Sequence, residues 1–134
     1  MAEKLQFDLV SPEERVFSGA VDMVVVPGGD GDFGVLPDHA PLMSTIRSGA
    51  IAVHDGGEVT KTFIHGGFAE VTPAGLTILA EEAMKLADVD RDQVAQDLKN
   101  AREDVADAED EHERRLAEER VGKFEALTAA LADG

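Results

Sequence analysis

The residues best suited to chemistry lie in one glycine-rich stretch. Gly29-Asp30-Gly31-Asp32-Phe33-Gly34 has the G-x-G-x-x-G spacing of a dinucleotide-binding turn. Such a turn works because its last glycine opens a helix whose N-terminal amides hold a pyrophosphate. Here the stretch runs into Val35-Leu36-Pro37, an extended segment entering a proline. Asp30 and Asp32 would also repel phosphate. The spacing therefore predicts a glycine-rich loop and no nucleotide site. The two aspartates do not make a calcium loop either, because the further oxygen ligands and the terminal Glu of an EF-hand are missing.

No other constellation supports catalysis. His39, His54, His65 and His112 are scattered, with no H-x-x-x-H pair to hold zinc. Ser11, Ser18, Ser44 and Ser48 lie in no nucleophile-elbow sequence. Asp38-His39 pairs a carboxylate with an imidazole, but adjacent residues point in different directions, which favours structural roles. The chain is read as non-enzymatic, with no metal and no cofactor. Arg114, Arg115, Arg120 and Lys123 interrupt an acidic segment. At helical spacing they serve as solvated partners for Glu111, Glu118 and Glu119, or they meet an acidic surface on another protein.

These residues must be positioned by a chain of 134 residues, enough for one core and an appendage. Cysteine is absent, which excludes disulfides and thiol chemistry. With no Trp or Tyr there is little aromatic surface for stacking bases. The net charge of −16 opposes nucleic acid and anionic lipid as partners. No run approaches the ~20 apolar residues of a membrane span. The segment Met1-Ala2-Glu3-Lys4-Leu5 has no basic flank, so no secretory signal is expected and no direct membrane insertion.

All five prolines fall by residue 73 and 11 of the 13 glycines by residue 75. The chain thus reads as a turn-rich part over 1–85 and a helical part over 86–134. In the first part, Leu5, Phe7 and Leu9 alternate with polar residues, and Val21, Met23 and Val25 repeat the pattern around Asp22. Residues 50–54 and 59–64 flank Asp55-Gly56-Gly57, a hairpin signal. Residues 68–71 and 76–80 flank Pro73-Ala74-Gly75, a second one. Short strands at this spacing predict an antiparallel β-sandwich.

In the second part, Asp90 with Gln93 makes a capping-box-like start. Val94, Leu98, Ala101, Val105 and Ala108 follow at helical steps. Ala117, Val121, Phe124, Leu127 or Thr128, and Leu131 form a second stripe. The acidic run 107–113 is placed at the turn of a two-helix antiparallel hairpin. The fold class is therefore mixed: an N-terminal sandwich, then a helical hairpin.

At this point the chain resembles the epsilon-subunit family of rotary F-type ATP synthases, over nearly its whole length. The segment 27–42, with Gly31-Asp32-Phe33-Gly34-Val35-Leu36-Pro37-Asp38-His39-Ala40-Pro41-Leu42, looks like the family signature. Leu9-Val10-Ser11-Pro12-Glu13, Gly66-Gly67-Phe68-Ala69-Glu70-Val71 and Leu79-Ala80-Glu81-Glu82-Ala83 support it. The resemblance implies a non-catalytic central-stalk subunit that links the gamma subunit to the loops of the c-ring and couples proton translocation to ATP synthesis. It implies a peripheral place on the cytoplasmic face of the bacterial inner membrane. Asp32 maps to the acidic residue facing the c-ring, where an Arg would receive it, with Phe33 beside it. Ser11, His39, Pro41, Leu42 and Met43 match positions near gamma and the c-ring.

In some members the helical hairpin reaches the alpha and beta subunits and inhibits ATP hydrolysis. Arg114, Arg115, Arg120 and Lys123 are the candidates here. The family ATP motif is degenerate: Asp90 is kept, but Gln93 stands where an Arg is expected, removing a phosphate donor. Weak or absent ATP binding follows. Two readings from other classes are a free-standing sandwich module with a dimerising helical tail, and a nucleotide-dependent enzyme using the glycine loop.

Overall fold

The computed structural model describes residues 3–133. The chain divides into two compact units at Lys85/Leu86.

The first unit holds eight strands: β1 (Leu5–Val10), β2 (Arg15–Val21), β3 (Met23–Gly28), β4 (Gly31–Val35), β5 (Leu42–Thr45), β6 (Gly49–Asp55), β7 (Glu58–Thr72) and β8 (Gly75–Lys85). They are hydrogen-bonded in the order β2-β1-β8-β7-β6-β3-β4, with β5 on β7. The first half of β7 pairs with β6 and its second half with β5. Likewise β1 pairs only with the first half of β8. β7 and β8 thus give one end to each layer of a β-sandwich.

Between the layers lie Leu5, Phe7, Leu9, Val21, Val71, Leu76 and Ile78 from one side, and Val24, Val26, Val35, Ile51 and Ile64 from the other. Burying each such side chain is worth about 1.5–3 kcal/mol relative to leaving it exposed. The Asp55-Gly56-Gly57 turn forms as the sequence predicts. Gly56 and Gly57 both take the positive φ that a two-residue hairpin turn requires.

Three local details differ from the sequence pattern. Residues 59–64 and 68–71 belong to one strand, β7, bent at Gly66–Gly67 where both φ angles are positive. A bend between two half-strands looks like a turn when only glycines are read. Val21 and Met23 fall on different strands, because the chain turns at Asp22. This resets the phase, so Val24 and Val26 face the core and Met23 and Val25 do not. The sheet also has one parallel pair, β1 with β8, among antiparallel ones.

A polar staple closes the turn at Asp22. Lys4 Nζ donates to Asp22 Oδ1 at 2.6 Å and to Asp55 Oδ1 at 2.7 Å. The amide of Gly56 donates to Asp22 Oδ2 at 2.8 Å. The ammonium first, and then that amide, hold the Asp22 carboxyl below its ordinary range. The two carboxylates hold the Lys4 ammonium above its own.

The second unit is a helical hairpin. A 3-10 turn at Leu86–Asp88 precedes α1 (Arg91–Asp107), and α2 (Glu111–Asp133) follows. Asp90 caps α1, its Oδ1 accepting from the amides of Asp92 and Gln93. The Gln93 side chain does not return the bond; it donates to Asp97 at 2.9 Å. The turn is only residues 108–110, inside the acidic run. Asp110 accepts from the Glu113 amide, while Glu113 accepts from the Glu109 amide. That is a capping-box-like exchange, D-x-x-E, within a run whose charges obscure it. The buried residues of the two helices are Val94, Ala101, Ala117, Leu127, Ala130 and Leu131, alanines among larger aliphatics. Thr128 is exposed, and its hydroxyl donates to the Phe124 carbonyl.

Candidate partner interface

The glycine-rich stretch forms the β3–β4 hairpin and no helix follows it, so the pyrophosphate geometry is missing. Gly28 and Gly29 serve close packing. A Cβ on Gly28 would stand 2.7 Å from the Gly31 carbonyl and 2.8 Å from the Phe33 ring. A Cβ on Gly29 would stand 2.7 Å from Thr45 Oγ1. At Gly28 the hairpin itself leaves no room for a side chain, and at Gly29 the crossing residue Thr45 leaves none. Gly29 N donates to Thr45 O and Arg47 N to Pro27 O, each at 3.0 Å. Ile46, buried, bridges Gly28 and donates its amide to Gly67 O.

On β4 the side chains alternate. Phe33 packs against the core cluster, and Asp32 is exposed. Asp32 Oδ1 receives Arg47 Nη2 at 2.6 Å, while Arg47 Nη1 reaches the Gly28 carbonyl at 3.4 Å.

From the end of β4 the chain loops through Leu36–Pro41. Asp38 takes a left-handed conformation, φ 66°, tolerable for Asp but uncommon. His39 N donates to Leu36 O, and His39 Nδ1 lies 2.7 Å from the Ala40 carbonyl. The imidazole thus fixes the loop. Glu3 faces the same loop. Its carboxyl is raised above the ordinary range, first by a hydrogen bond with Asp38 and then by that residue's charge.

Pro41, Leu42 and Met43 are exposed, Met43 at 64%. Met43 is registered with Glu70, and the adjacent row across the strands reads Thr45, Phe68, Leu79, Val10. Phe68 and Leu79 are 40% and 41% exposed on the face away from the core. Ser11 follows Val10 at the far end of that row. It is engaged in the β1–β2 turn, where its amide and hydroxyl both donate to Glu14 O. Met43 and Ser11 therefore flank one apolar strip, whereas Asp32 and Phe33 sit on the β3–β4 hairpin.

Sequence reasoning missed Phe68, Leu79 and Arg47. The signal for Leu79 was present: in Leu76-Thr77-Ile78-Leu79-Ala80 it breaks the alternation. Arg47 carried none, because its partner lies 15 residues away.

On the helical hairpin, Arg114 pairs with Glu111 at 3.0 Å and Arg120 with Asp104 at 3.5 Å. Lys123 stands 5.3 Å from the Phe124 ring centroid. Arg115 has no ion-pair partner among the described residues. Also among the described residues, no three His, Asp or Glu side chains converge to hold a metal, and no helix is long and apolar enough to cross a membrane.

The family model "ATP synthase, Delta/Epsilon chain, beta-sandwich domain" matches residues 4–86. The ATP synthase epsilon chain of Maricaulis maris is 65% identical over 132 residues, covering 98% of this chain and 99% of that one. The epsilon chain of Parvibaculum lavamentivorans is 52% identical, over 95% and 97%. Among solved structures, a chain of the Euglena gracilis mitochondrial ATP synthase (OSCP/F1/c-ring, rotational state 1) superposes with a TM-score of 0.84 at 29% identity. It covers 96% of this chain and 81% of that one. A chain of the Tetrahymena thermophila mitochondrial ATP synthase central stalk/c-ring shares the fold, with a TM-score of 0.61 at 12% identity over 98% and 97%.

Proposed function

Because the chain belongs to the epsilon-chain family of ATP synthases, we propose that it is the non-catalytic stalk subunit that ties the gamma subunit to the c-ring and so couples proton translocation to ATP synthesis. The observation that carries this is the apolar strip of Met43, Phe68 and Leu79, left open on a chain of net charge −16. Large apolar side chains set together on an outer sheet face mark a protein contact. The strip seats gamma, with His39, Pro41, Leu42 and Ser11 at its margins. The β3–β4 hairpin, with Asp32 at its surface and Phe33 behind it, meets cationic c-ring loops. The protein then sits peripherally at the cytoplasmic face of the bacterial inner membrane, held by partners and not by lipid.

The helical hairpin, residues 86–134, is the regulatory part. Its contact with the alpha and beta subunits draws on Arg114, Arg115, Arg120 and Lys123. Two of these already pair with acids of the hairpin itself, so inhibition of hydrolysis is expected to be weak. ATP binding is weak or absent, because Asp90 is spent on the helix cap and Gln93 on Asp97.

The test is size-exclusion chromatography of the chain with gamma from the same genome. A one-to-one complex is expected at micromolar concentration. Separate elution, or a homodimer in place of the complex, overturns the reading. ATP hydrolysis by the assembled enzyme with and without residues 86–134 measures inhibition directly; equal rates rule it out.

A further inference from the structure

Asp32 is already engaged within the chain. Arg47 Nη2 holds Oδ1 at 2.6 Å, with both side chains half or more exposed, at 50% and 59%. Among the described residues nothing donates to Oδ2. The arginine is fixed from behind. Its amide is bonded to Pro27 O, its Nη1 leans on Gly28 O, and the buried Ile46 anchors the residue before it. A guanidinium has been brought to the same carboxylate that a partner's cation would need.

We infer that Arg47 is an intramolecular competitor for the cationic group that docks on Asp32. The inference rests on the proposal that Asp32 faces the c-ring. Arg47 is a positioning residue with two opposed effects. It fixes the two side-chain torsions of Asp32, which helps an incoming donor slightly. It also places a positive charge beside the point where a second positive charge must arrive, and occupies one of the two carboxylate oxygens with a bond. The second effect is the larger, because fixing one short side chain gains little, whereas a second cation is repelled until Arg47 leaves, and its leaving costs the ion pair. An incoming guanidinium therefore docks by exchange: Arg47 swings off Asp32 as the partner arrives. The contact is strong enough to orient the hairpin and weak enough to be remade.

The experiment titrates complexes of the full chain with gamma onto detergent-solubilised c-ring from the same genome. Four forms are compared: wild type, Arg47→Gln, Asp32→Asn and the double variant. Arg47→Gln is expected to bind about two- to five-fold more tightly, the range of an exposed ion pair. Asp32→Asn binds more weakly, and the double variant matches Asp32→Asn, since Arg47 acts only through that carboxylate. If Arg47→Gln binds equally or less tightly while Asp32→Asn still weakens binding, competition is wrong and the c-ring contact stands. If Asp32→Asn binds like wild type, the contact itself is wrong and the competition falls with it. Co-elution with gamma checks that each variant is folded. Arg47→Met is a second charge-free variant should Arg47→Gln fail that check.

Discussion

Phe68 and Leu79 stand directly opposite each other across β7 and β8, on the face that turns away from the core. Cross-strand apolar pairs of this kind stabilise a sheet modestly when solvated, by roughly 0.2–1 kcal/mol. As the centre of an interface they are worth more. Phe68→Glu and Leu79→Lys are therefore expected to weaken gamma binding about 10- to 100-fold, the effect of losing a central anchor. The melting temperature should move little. Calorimetric titration with gamma, beside a thermal melt of the free chain, separates the two. A large fall in both would make these residues structural.

Gly67 is expected to tolerate no side chain. Its φ is +131°, and a Cβ would press into the Leu79 carbonyl. Gly67→Ala should cost more than about 2 kcal/mol, from a forbidden backbone conformation plus the clash. Gly122 is the counter-case. It lies inside α2 with nothing within 4 Å of a Cβ, so Gly122→Ala should stabilise the helical hairpin by about 0.5–1 kcal/mol. Chemical denaturation followed by circular dichroism reads both.

Lys4 should act over a defined pH window. Asp22 is depressed in the fold, so its contribution is present above the ordinary Asp value and lost as pH falls through the lower folded value. Lys4 is raised, so its contribution is present below its ordinary value, about 10.4, and lost as pH climbs above that. Lys4→Met should lower the melting temperature by a constant amount between about pH 5 and 9. The deficit should shrink below about pH 4. A deficit independent of pH down to strong acid would assign the effect to packing of the lysine stem.

Glu3 is predicted to behave oppositely. The folded chain raises its carboxyl against Asp38, so the fold holds that proton more tightly than the unfolded chain does. Stability from this group is present in acid and is lost as pH rises through the folded value. Glu3→Gln should raise the melting temperature at pH 7, and the gain should vanish below about pH 4. An equal gain at every pH would point to local propensity.

Much of this architecture is legible in the sequence because its determinants are local. The Asp55-Gly56-Gly57 turn, the Asp90 cap and the stripe from Val94 to Val105 each depend on residues a few positions apart. What escapes is long-range. The parallel pairing of β1 with β8 and the union of residues 58–72 into one strand are settled by how the layers close, which no short window carries. The site follows the same division. Asp32 and His39 are proposed through a motif. Phe68, Leu79 and Arg47 gain their roles only when distant strands meet, and an arginine 15 residues from an aspartate has no sequence mark of pairing.

The bend in β7 has a mechanical corollary. A push can pass from one layer to the other through the packed side chains of the core. Here Phe68 on one layer and Ile64 on the other belong to a single strand, joined by four peptide links through Gly66–Gly67. A load applied at the apolar strip therefore travels along covalent backbone toward β6 and β3, and onward to the hairpin bearing Asp32. That backbone is a stiff strut between the layers, and the two glycines are the elbow that sets its angle.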